Sequence, residues 1–265
     1  MIRLGLIGYG KAGAAVACVL KDDPRFDLRW IARRSAQPVE ENCRSIALNI
    51  NTFAEDLARY PVDAIVDFAH ADALLIYGEA IRQRGIRLVS AVSNYPPEQL
   101  AYLRELSREI PVMASPNITV GINFLMLASR LLRRIAPAAD IAILEQHFRD
   151  KPEISGTAKK IAASLEMEDE EITSLRLGGI VGQHEVIFGF PHQTVRLIHN
   201  SIRREAFGTG AAFAVEQLMA LPPGFYTYEQ LLERIVREEL ERESIAPGAK
   251  SPCPDSANPP DQGCL

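Results

Sequence analysis

The sequence is poor in cysteine and has no long apolar run. Of its four cysteines, Cys18 and Cys43 lie far apart, and Cys253 and Cys264 lie near the end of the chain. This distribution excludes a dense disulfide framework and offers no spacing typical of a metal site. No apolar run approaches the roughly 18 residues that a membrane-spanning helix needs. We therefore expect reduced thiols, a cytoplasmic location, no metal and no contact with a membrane.

The sequence also lacks an excess of basic residues. Lys and Arg number 29 against 34 for Asp and Glu, which gives a net charge of −5, so nucleic acid is not an expected partner. The opening segment MIRLGLIGYG lacks the long apolar stretch and the small-residue cleavage site of a signal peptide. Hydrophobic residues at 47% and charged residues at 24% are typical of a globular protein with a substantial core.

Apolar strand-like runs alternate with helical patterns over residues 1–116. The runs are IRLGLIG, FDLRWIAR, VDAIVDFA, IRLVSAV and PVMASP, and helical segments such as ADALLIYGEAIRQRG separate the later ones. Because parallel strands need crossover connections, this alternation predicts a parallel, doubly wound sheet. We therefore predict an α/β fold whose N-terminal domain, residues 1–116, is of the Rossmann type.

The pattern changes at residue 117. An amphipathic helix, GINFLMLASRLLRRIA, precedes the strand-like run ADIAILEQHF, a helix around GTAKKIAASLEM, and three further strand-like runs with short connections. Such consecutive strands predict an antiparallel or mixed sheet, so 117–204 is expected to form an α+β substrate domain. A helix over about 205–240 is expected to return to the first domain. The Pro-, Gly- and Ser-rich segment 245–265 is expected to be a disordered tail.

The first predicted strand ends in a glycine-rich turn. Gly8, Tyr9, Gly10, Lys11, Ala12 and Gly13 form a G-x-G-x-x-G motif between a predicted strand and a predicted helix. Gly8 permits the tight turn, Gly10 lets the backbone approach a pyrophosphate, and Gly13 allows the helix to pack closely on the strand. Free N–H groups at the helix N-terminus favour phosphate. These six residues therefore predict a dinucleotide site.

The end of the second predicted strand indicates which dinucleotide binds. An acidic residue that binds the ribose of NAD is expected there, but the sequence has Arg33 and Arg34, and no acid follows until Glu40. Guanidinium groups pair well with a 2′-phosphate. We therefore expect NADPH to be preferred over NADH. The alternative is that one or both arginines are solvated surface residues.

The segment EQHFRDKPEISGTA places polar residues that suit catalysis close together. His147 can deliver a proton near neutral pH, and Lys151 can bind a carboxylate. Ser155, Gly156 and Thr157 open a predicted helix, where hydroxyl and free N–H groups suit a carboxylate. Without other support, a solvated loop with a helix N-cap is the simpler interpretation.

Several separate motifs occur in the order found in a known family. They are the glycine motif, VDFAH at 66–70, SPNITVGIN at 115–123, GGIVGQHEVIFG at 178–189 and HNSIRREAF at 199–207. From its start to about Leu240 the sequence resembles the 4-hydroxy-tetrahydrodipicolinate reductase (dihydrodipicolinate reductase) family. The resemblance implies a Rossmann-type domain, a mixed-sheet domain for substrate and oligomerisation, and a homotetramer. It also implies reduction of a cyclic dicarboxylate by NADPH or NADH in diaminopimelate and lysine biosynthesis.

The resemblance also implies roles for individual residues. In the family signature E-x-H-H-x-x-K-x-D-A-P-S-G-T, His147 matches the proton donor and Lys151 matches the lysine that supports it. The positions implied for substrate are Phe148, Ser155, Gly156, Thr157 and Arg204. The positions implied for cofactor, beyond the glycine motif and the arginine pair, are Phe68, Ala69, His70, Ser90, Ser93 and Asn117.

The sequence departs from the family pattern in the substrate segment. Phe148 replaces the second histidine, and Pro152–Ile154 replaces D-A-P in a segment one residue shorter. Because sites that hydrogen-bond a substrate discriminate strongly, two alternatives stay open. One alternative to the lysine-pathway reductase is a paralogue that reduces another cyclic imino acid, and the other is a non-catalytic NADP-binding sensor or scaffold. We interpret His184 and His199 as satisfied structural histidines and Trp30 as core.

Overall fold

The computed structural model describes residues 1–34 and 43–245. The predicted tail lies outside these residues except for Ile245, which ends the last helix. In chain order, strands β1–β11 are Ile2–Ile7, Phe26–Arg33, Arg44–Ala47, Ala64–Asp67, Arg87–Ser90, Pro111–Ala114, Asp140–His147, Ile172–Arg176, Gly182–Phe190, Gln193–Ser201 and Gly224–Tyr226. Helices α1–α8 are Lys11–Asp22, Phe53–Arg59, Leu74–Gln83, Pro97–Leu106, Val120–Ile135, Gly156–Ser164, Glu205–Met219 and Tyr228–Ile245. Short 3₁₀ helices span Ala71–Ala73 and Asp169–Glu171.

The first sheet is the predicted Rossmann-type parallel sheet. Its order is β11-β6-β5-β4-β1-β2-β3, and every pairing in it is parallel. Every residue of β4 is buried, as expected for a strand covered on both faces. The strand order reverses between β1 and β4. The carboxyl ends of these two strands therefore flank the crevice where doubly wound folds bind ligands.

The sequence analysis predicted five strands for this sheet and missed two, together with a helix. The missed elements are β3, α2 and β11, of which β11 has only three residues, Gly224–Tyr226. Short strands carry too little alternation to be recognised from sequence. β11 joins the sheet by pairing with β6, more than a hundred residues earlier in the chain. Its strand conformation depends on that long-range pairing.

The second sheet is mixed, which confirms the prediction for fold class. Its order is β10-β9-β7-β8, with β9 antiparallel to both β7 and β10, and β8 parallel to β7. One face packs against α5 and α6. The buried side chains of this core include Ile122, Ile143, Ile161, Val186 and Phe188. This core is separate from the two cores on either face of the first sheet.

Helix α7 packs against α1 and the segment before α5. A Cβ on Gly208 would lie 2.5 Å from Val19 Cβ, and one on Gly210 would lie 1.7 Å from the backbone oxygen of Ile118. Tyr228 of α8 donates a hydrogen bond to the Gly210 carbonyl at 3.0 Å. These contacts fix the segment that leads from the first sheet into the second. No helix in the described ranges is long and apolar enough to cross a membrane.

Candidate active site

A cavity of about 450 Å³ lies at the crevice between β1 and β4. This volume suits a small ligand or part of a larger cofactor. Eight of the residues predicted for the cofactor line it, namely Gly8, Tyr9, Gly10, Arg33, Arg34, Phe68, Ala69 and His70. The others that line it are Ala32, Leu48, Asp72, Ala73 and Ile76. The structure therefore brings the glycine motif, the arginine pair and the segment after β4 to one site.

The glycines of the motif have distinct roles in this cavity. Gly8 has a φ of +92°, and a Cβ there would lie 2.7 Å from the backbone of Phe68 and Ala69. A Cβ on Gly13 would lie 2.1 Å from the Gly8 carbonyl oxygen, so α1 packs directly on the turn. Gly10 has no neighbouring atom within 4 Å in the direction of a Cβ. Its backbone is therefore open to a phosphate at the start of α1.

The arginine pair lies at the rim of the cavity. Arg33 ends β2, and its guanidinium carbon lies 5.8 Å from the centre of the Tyr9 ring, within range of a cation–π contact. Arg34 follows and is exposed. Both positions suit contact with a charged group at the adenosine end of a dinucleotide.

Six other residues predicted for the cofactor do not line this cavity. Ser90 is buried and hydrogen-bonds with the Tyr95 hydroxyl at 2.7 Å. Ser93 is exposed, and Asn117 accepts a hydrogen bond from Thr157 at 2.9 Å. The remaining three, Lys11, Ala12 and Gly13, form the first turn of α1.

A buried carboxylate supports the segment behind the cavity. Asp67 ends β4, is fully buried, and accepts hydrogen bonds from Ala69 N–H at 2.8 Å and Tyr77 O–H at 2.5 Å. Burial outweighs these hydrogen bonds and raises the pKa of the Asp67 carboxyl from 3.8 to about 6. This carboxyl therefore fixes the backbone of the residues that face Gly8.

The substrate side is organised around Glu145 on β7. Its side chain is fully buried, and its Oε1 accepts hydrogen bonds from Arg176 and Ser174, each at 2.7 Å, and from Ser155 N–H at 3.4 Å. Its Oε2 hydrogen-bonds with His147 Nδ1. Burial opposes ionisation, but the hydrogen bonds from Arg176, Ser174 and His147 outweigh it and lower the pKa of Glu145 to about 2. Glu145 is therefore a buried carboxylate at neutral pH.

This carboxylate fixes the orientation of His147. Because Glu145 is ionised, Nδ1 of His147 carries the proton in their hydrogen bond, and Nε2 is the nitrogen that can exchange a proton with a ligand. A Cβ on Gly182 would lie 3.0 Å from His147 Nε2, so the absence of a side chain on β9 gives the ring its space. His147 is 8% exposed. An anionic partner therefore holds the largely buried ring in one orientation.

Other residues predicted for the substrate side lie near His147 or the neighbouring His184. Lys151 is half-buried in the loop after β7 and lies near enough for its charge to lower the pKa of His184. Ser155 precedes the first turn of α6, and its hydroxyl hydrogen-bonds with His184 Nε2 at 2.9 Å. Phe148 is 44% exposed beside this loop.

Two remaining predicted residues lie at helix starts. Gly156 is the first residue of α6, and no atom lies within 4 Å in the direction of a Cβ there. Arg204 is exposed and precedes the first turn of α7. Arg204 comes three residues after Ser201, which lies opposite Gly182 in the register of β9 and β10, and Gly182 in turn borders the His147 ring. The described residues offer no ion pair to its guanidinium, so its charge is available to a ligand.

Models of known families match both halves of the chain. The model described as dihydrodipicolinate reductase, N-terminus, matches residues 2–118, and the one described as dihydrodipicolinate reductase, C-terminus, matches residues 121–232. The chain belongs to the dihydrodipicolinate reductase family. It is therefore an oxidoreductase, as the resemblance implied.

Curated relatives and solved structures agree with this assignment. The reductase is 30% identical over 257 residues to the 4-hydroxy-tetrahydrodipicolinate reductase of Caldanaerobacter subterraneus subsp. tengcongensis, a match that covers 88% of this chain and 99% of the relative. It is 28% identical over 203 residues to the Archaeoglobus fulgidus protein of the same name, covering 68% of this chain and 79% of that one. The structure of dipicolinate-bound dihydrodipicolinate reductase from Paenisporosarcina sp. TG-14 has the same fold. Its TM-score is 0.74 at 21% identity, and the match covers 86% and 97% of the two chains.

The sequence analysis missed three residues that support His147 in the reductase. Glu145 precedes His147 by two residues, and strand alternation places both on one face of β7, so this signal was present. Ser174 and Arg176 reach Glu145 from β8, where the register pairs His147 with Arg176. That register is a long-range property that the local pattern does not contain.

The sequence analysis interpreted His184 and His199 as structural histidines whose ring nitrogens have hydrogen-bond partners. This is wrong for one nitrogen of each ring. The Nδ1 atom of each is buried without a hydrogen-bond partner among the described residues. In the strand register, His184 of β9 lies opposite Glu145 of β7 and His199 of β10. The centre of its ring lies 5.4 Å from the centre of the His147 ring, edge to face. The described residues contain no cluster of His, Cys, Asp and Glu that could hold a metal ion.

Replacing Asp67 with Asn should change how stability depends on pH. The folded state raises the pKa of Asp67 from 3.8 to about 6. Its stabilising contribution is therefore complete below about pH 4 and is lost as the pH rises through 6. The unfolding free energy of the wild type minus that of Asp67→Asn should fall by about 2 kcal/mol between pH 4 and pH 7. Urea titrations at both pH values measure it, with the exposed Asp22→Asn as the control, and a constant difference would contradict the assignment.

Proposed function

We propose that this reductase uses NADPH to convert 4-hydroxy-tetrahydrodipicolinate into tetrahydrodipicolinate in diaminopimelate and lysine biosynthesis. The observation that carries the proposal is His147, held by the buried carboxylate of Glu145, in a pocket that also contains His184, with Lys151 nearby, and the open N-terminus of α6. The names of the relatives from Caldanaerobacter and Archaeoglobus support the same reaction.

The cavity beside the glycine motif fits the dinucleotide. Gly8, Gly10 and the first turn of α1 would hold the pyrophosphate, and Arg33 and Arg34 would hold the 2′-phosphate that distinguishes NADPH. When bound, the cofactor supplies a hydride to the substrate. The segment after β4, fixed by Asp67, would border the cofactor on the side that faces Gly8.

The second sheet and the segments connected to it would supply the groups for a dicarboxylate. The free N–H groups of α6 and the hydroxyl of Ser155 would bind one carboxylate. Lys151 and Arg204 would supply positive charge to the carboxylates. In its doubly protonated form, His147 would donate its Nε2 proton as the substrate is reduced and a hydroxyl leaves as water. Since Nδ1 stays bound to Glu145, the ring keeps one orientation throughout.

A second candidate reaction is reduction of a different cyclic imino acid. The observation that favours it is Phe148, an apolar ring 44% exposed beside Lys151 where the family signature has a histidine. Pro152–Ile154 also changes the loop that leads to Ser155. The non-catalytic sensor is the weaker alternative because the chain retains both His147 and Lys151 of the family signature.

The resemblance further supports a homotetramer as the assembled form. Apolar side chains are exposed on the second sheet and its connections, among them Leu175, Val181 and Ile198. Burial of such side chains against other copies of the chain would stabilise an assembly.

One coupled assay tests the reaction and the role of His147 together. Purified protein receives pyruvate, aspartate semialdehyde and the synthase that condenses them, and the loss of NADPH is followed by absorbance. We expect a specificity constant of about 10⁴ M⁻¹s⁻¹ or more for the wild type. His147→Gln should lower kcat by about 10²–10⁴-fold because the proton donor is lost, and Lys151→Ala should also lower turnover strongly.

A matched histidine variant serves as the control in the same assay. His192→Gln makes the same change in the exposed hairpin turn and should leave kcat unaltered. Normal turnover by His147→Gln would remove this residue from the mechanism. Absence of turnover in a wild type that binds NADPH would favour the second candidate reaction.

Reversing the charge of Arg33 tests the cofactor preference. Hydrogen bonds to charged groups contribute about 1.5–3 kcal/mol, so Arg33→Asp should weaken NADPH binding by about 10-fold or more and NADH binding much less. Fluorescence titration measures both dissociation constants. Arg29→Asp makes the same change at an exposed position on the same strand, paired with Asp27, and should alter neither. Equal weakening of the two cofactors by Arg33→Asp would overturn the preference.

A further inference from the structure

His184 lies on β9 and hydrogen-bonds with a single side chain of the substrate pocket. Its Nε2 hydrogen-bonds with Ser155 Oγ at 2.9 Å, and each residue is 4% exposed. Its Nδ1 is buried and has no hydrogen-bond partner among the described residues. The hydrogen bond to Ser155 is therefore the polar contact that decides how this imidazole is protonated.

His184 is neutral at physiological pH. Burial, together with the nearby His147, His199 and Lys151, lowers its pKa to about 4, against the opposing effect of Glu145. A neutral imidazole has one N–H donor and one acceptor. Two tautomers are therefore possible, and they give Ser155 opposite roles.

The unpartnered Nδ1 distinguishes the two tautomers. If Nδ1 carried the proton, a buried N–H group would have no acceptor, which is rare and costly in folded proteins. If Nε2 carries it, the unpartnered Nδ1 is only an acceptor without a donor, which proteins tolerate better. The second tautomer makes His184 the donor and Ser155 Oγ the acceptor. The hydroxyl proton of Ser155 is then free to bind another group.

That proton lies at the N-terminus of α6. Ser155 is the N-cap residue, but its side chain makes no capping hydrogen bond to the helix. The first N–H groups of α6 have no partner within the helix, and the space beside Gly156 is open to 4 Å. A hydroxyl donor next to free N–H groups in an open space suits an anion, in particular one carboxylate of a small dicarboxylic acid.

We propose that His184 is a positioning residue, which by donating Nε2–H to Ser155 Oγ compels the Ser155 hydroxyl to donate to a substrate carboxylate. This inference rests on the proposed function, since the carboxylate belongs to the substrate proposed there. His184 itself touches neither substrate nor cofactor in this account. It acts on substrate affinity through Ser155 and leaves the proton donor His147 unchanged.

A double-mutant cycle tests the coupling, with dipicolinate as the probe and NADPH present. Calorimetry should show that Ser155→Ala and His184→Asn each weaken dipicolinate by about 10-fold, the size expected for one hydrogen bond to a charged group. The double variant should bind no more weakly than either single variant, because both remove the same donor. Independent effects, which would weaken the double variant by about 100-fold, would overturn the proposal.

The choice of side chain at position 184 separates positioning from packing. The amide nitrogen of Gln reaches the place of Nε2, whereas that of Asn reaches only the place of Nδ1. His184→Gln should therefore keep dipicolinate affinity within about 3-fold of the wild type, since the donor is restored. Equal losses for Gln and Asn would show a packing role and overturn the proposal. In the coupled assay, His184→Asn should raise KM and leave kcat near the wild-type value.

The outcomes also separate this inference from the proposed function. A wild type that turns over the substrate, with independent effects in the cycle, removes the role of His184 alone. A wild type that neither binds dipicolinate nor oxidises NADPH overturns both. Thermal unfolding and NADPH affinity, measured for every variant, show that the variants are folded.

Discussion

The substrate side depends on the hydrogen bonds that the buried carboxylate of Glu145 accepts. An ion moved out of water costs several kcal/mol unless strong partners surround it. Glu145 has such partners on three elements, because Ser174 and Arg176 come from β8, His147 from β7, and the backbone N–H of Ser155 from the start of α6. Removing any of them leaves a charge or a polar group unpaired. One anion therefore fixes two strands and a helix relative to each other.

In the proposed mechanism, the same anion determines which imidazole carries the catalytic proton. His147 and His184 lie edge to face with their ring centres 5.4 Å apart. Glu145 hydrogen-bonds directly with His147, whereas burial and the neighbouring positive charges keep His184 neutral. Under the proposed function, the two histidines take different roles in one pocket, with His147 as the acid and His184 as a donor to Ser155. A buried carboxylate has a similar role at the cavity beside the glycine motif, where Asp67 fixes the backbone that faces Gly8.

Local patterns in the sequence predicted much of this arrangement. Strand β1, the glycine turn and α1 follow each other with clear apolar periodicity, and the structure places the turn at a cavity. β11 was missed because its three residues depend on pairing with β6. Arg176 was missed for the same reason, since only the register between β7 and β8 brings it to Glu145. The roles of the predicted site residues stay predictions, because they depend on ligands as well as on the fold.

The most direct test of this account is kcat for Glu145→Gln. The variant keeps the shape of the side chain but removes the charge that holds the His147 proton on Nδ1. We predict that kcat falls by about 100-fold or more, while the dissociation constants of NADPH and dipicolinate change by only a few-fold. Glu185→Gln is the matched control, because Glu185 is also buried in the second sheet, with Arg196 at 2.6 Å, and lies outside the His147 pair. An unchanged kcat for Glu145→Gln would contradict the account.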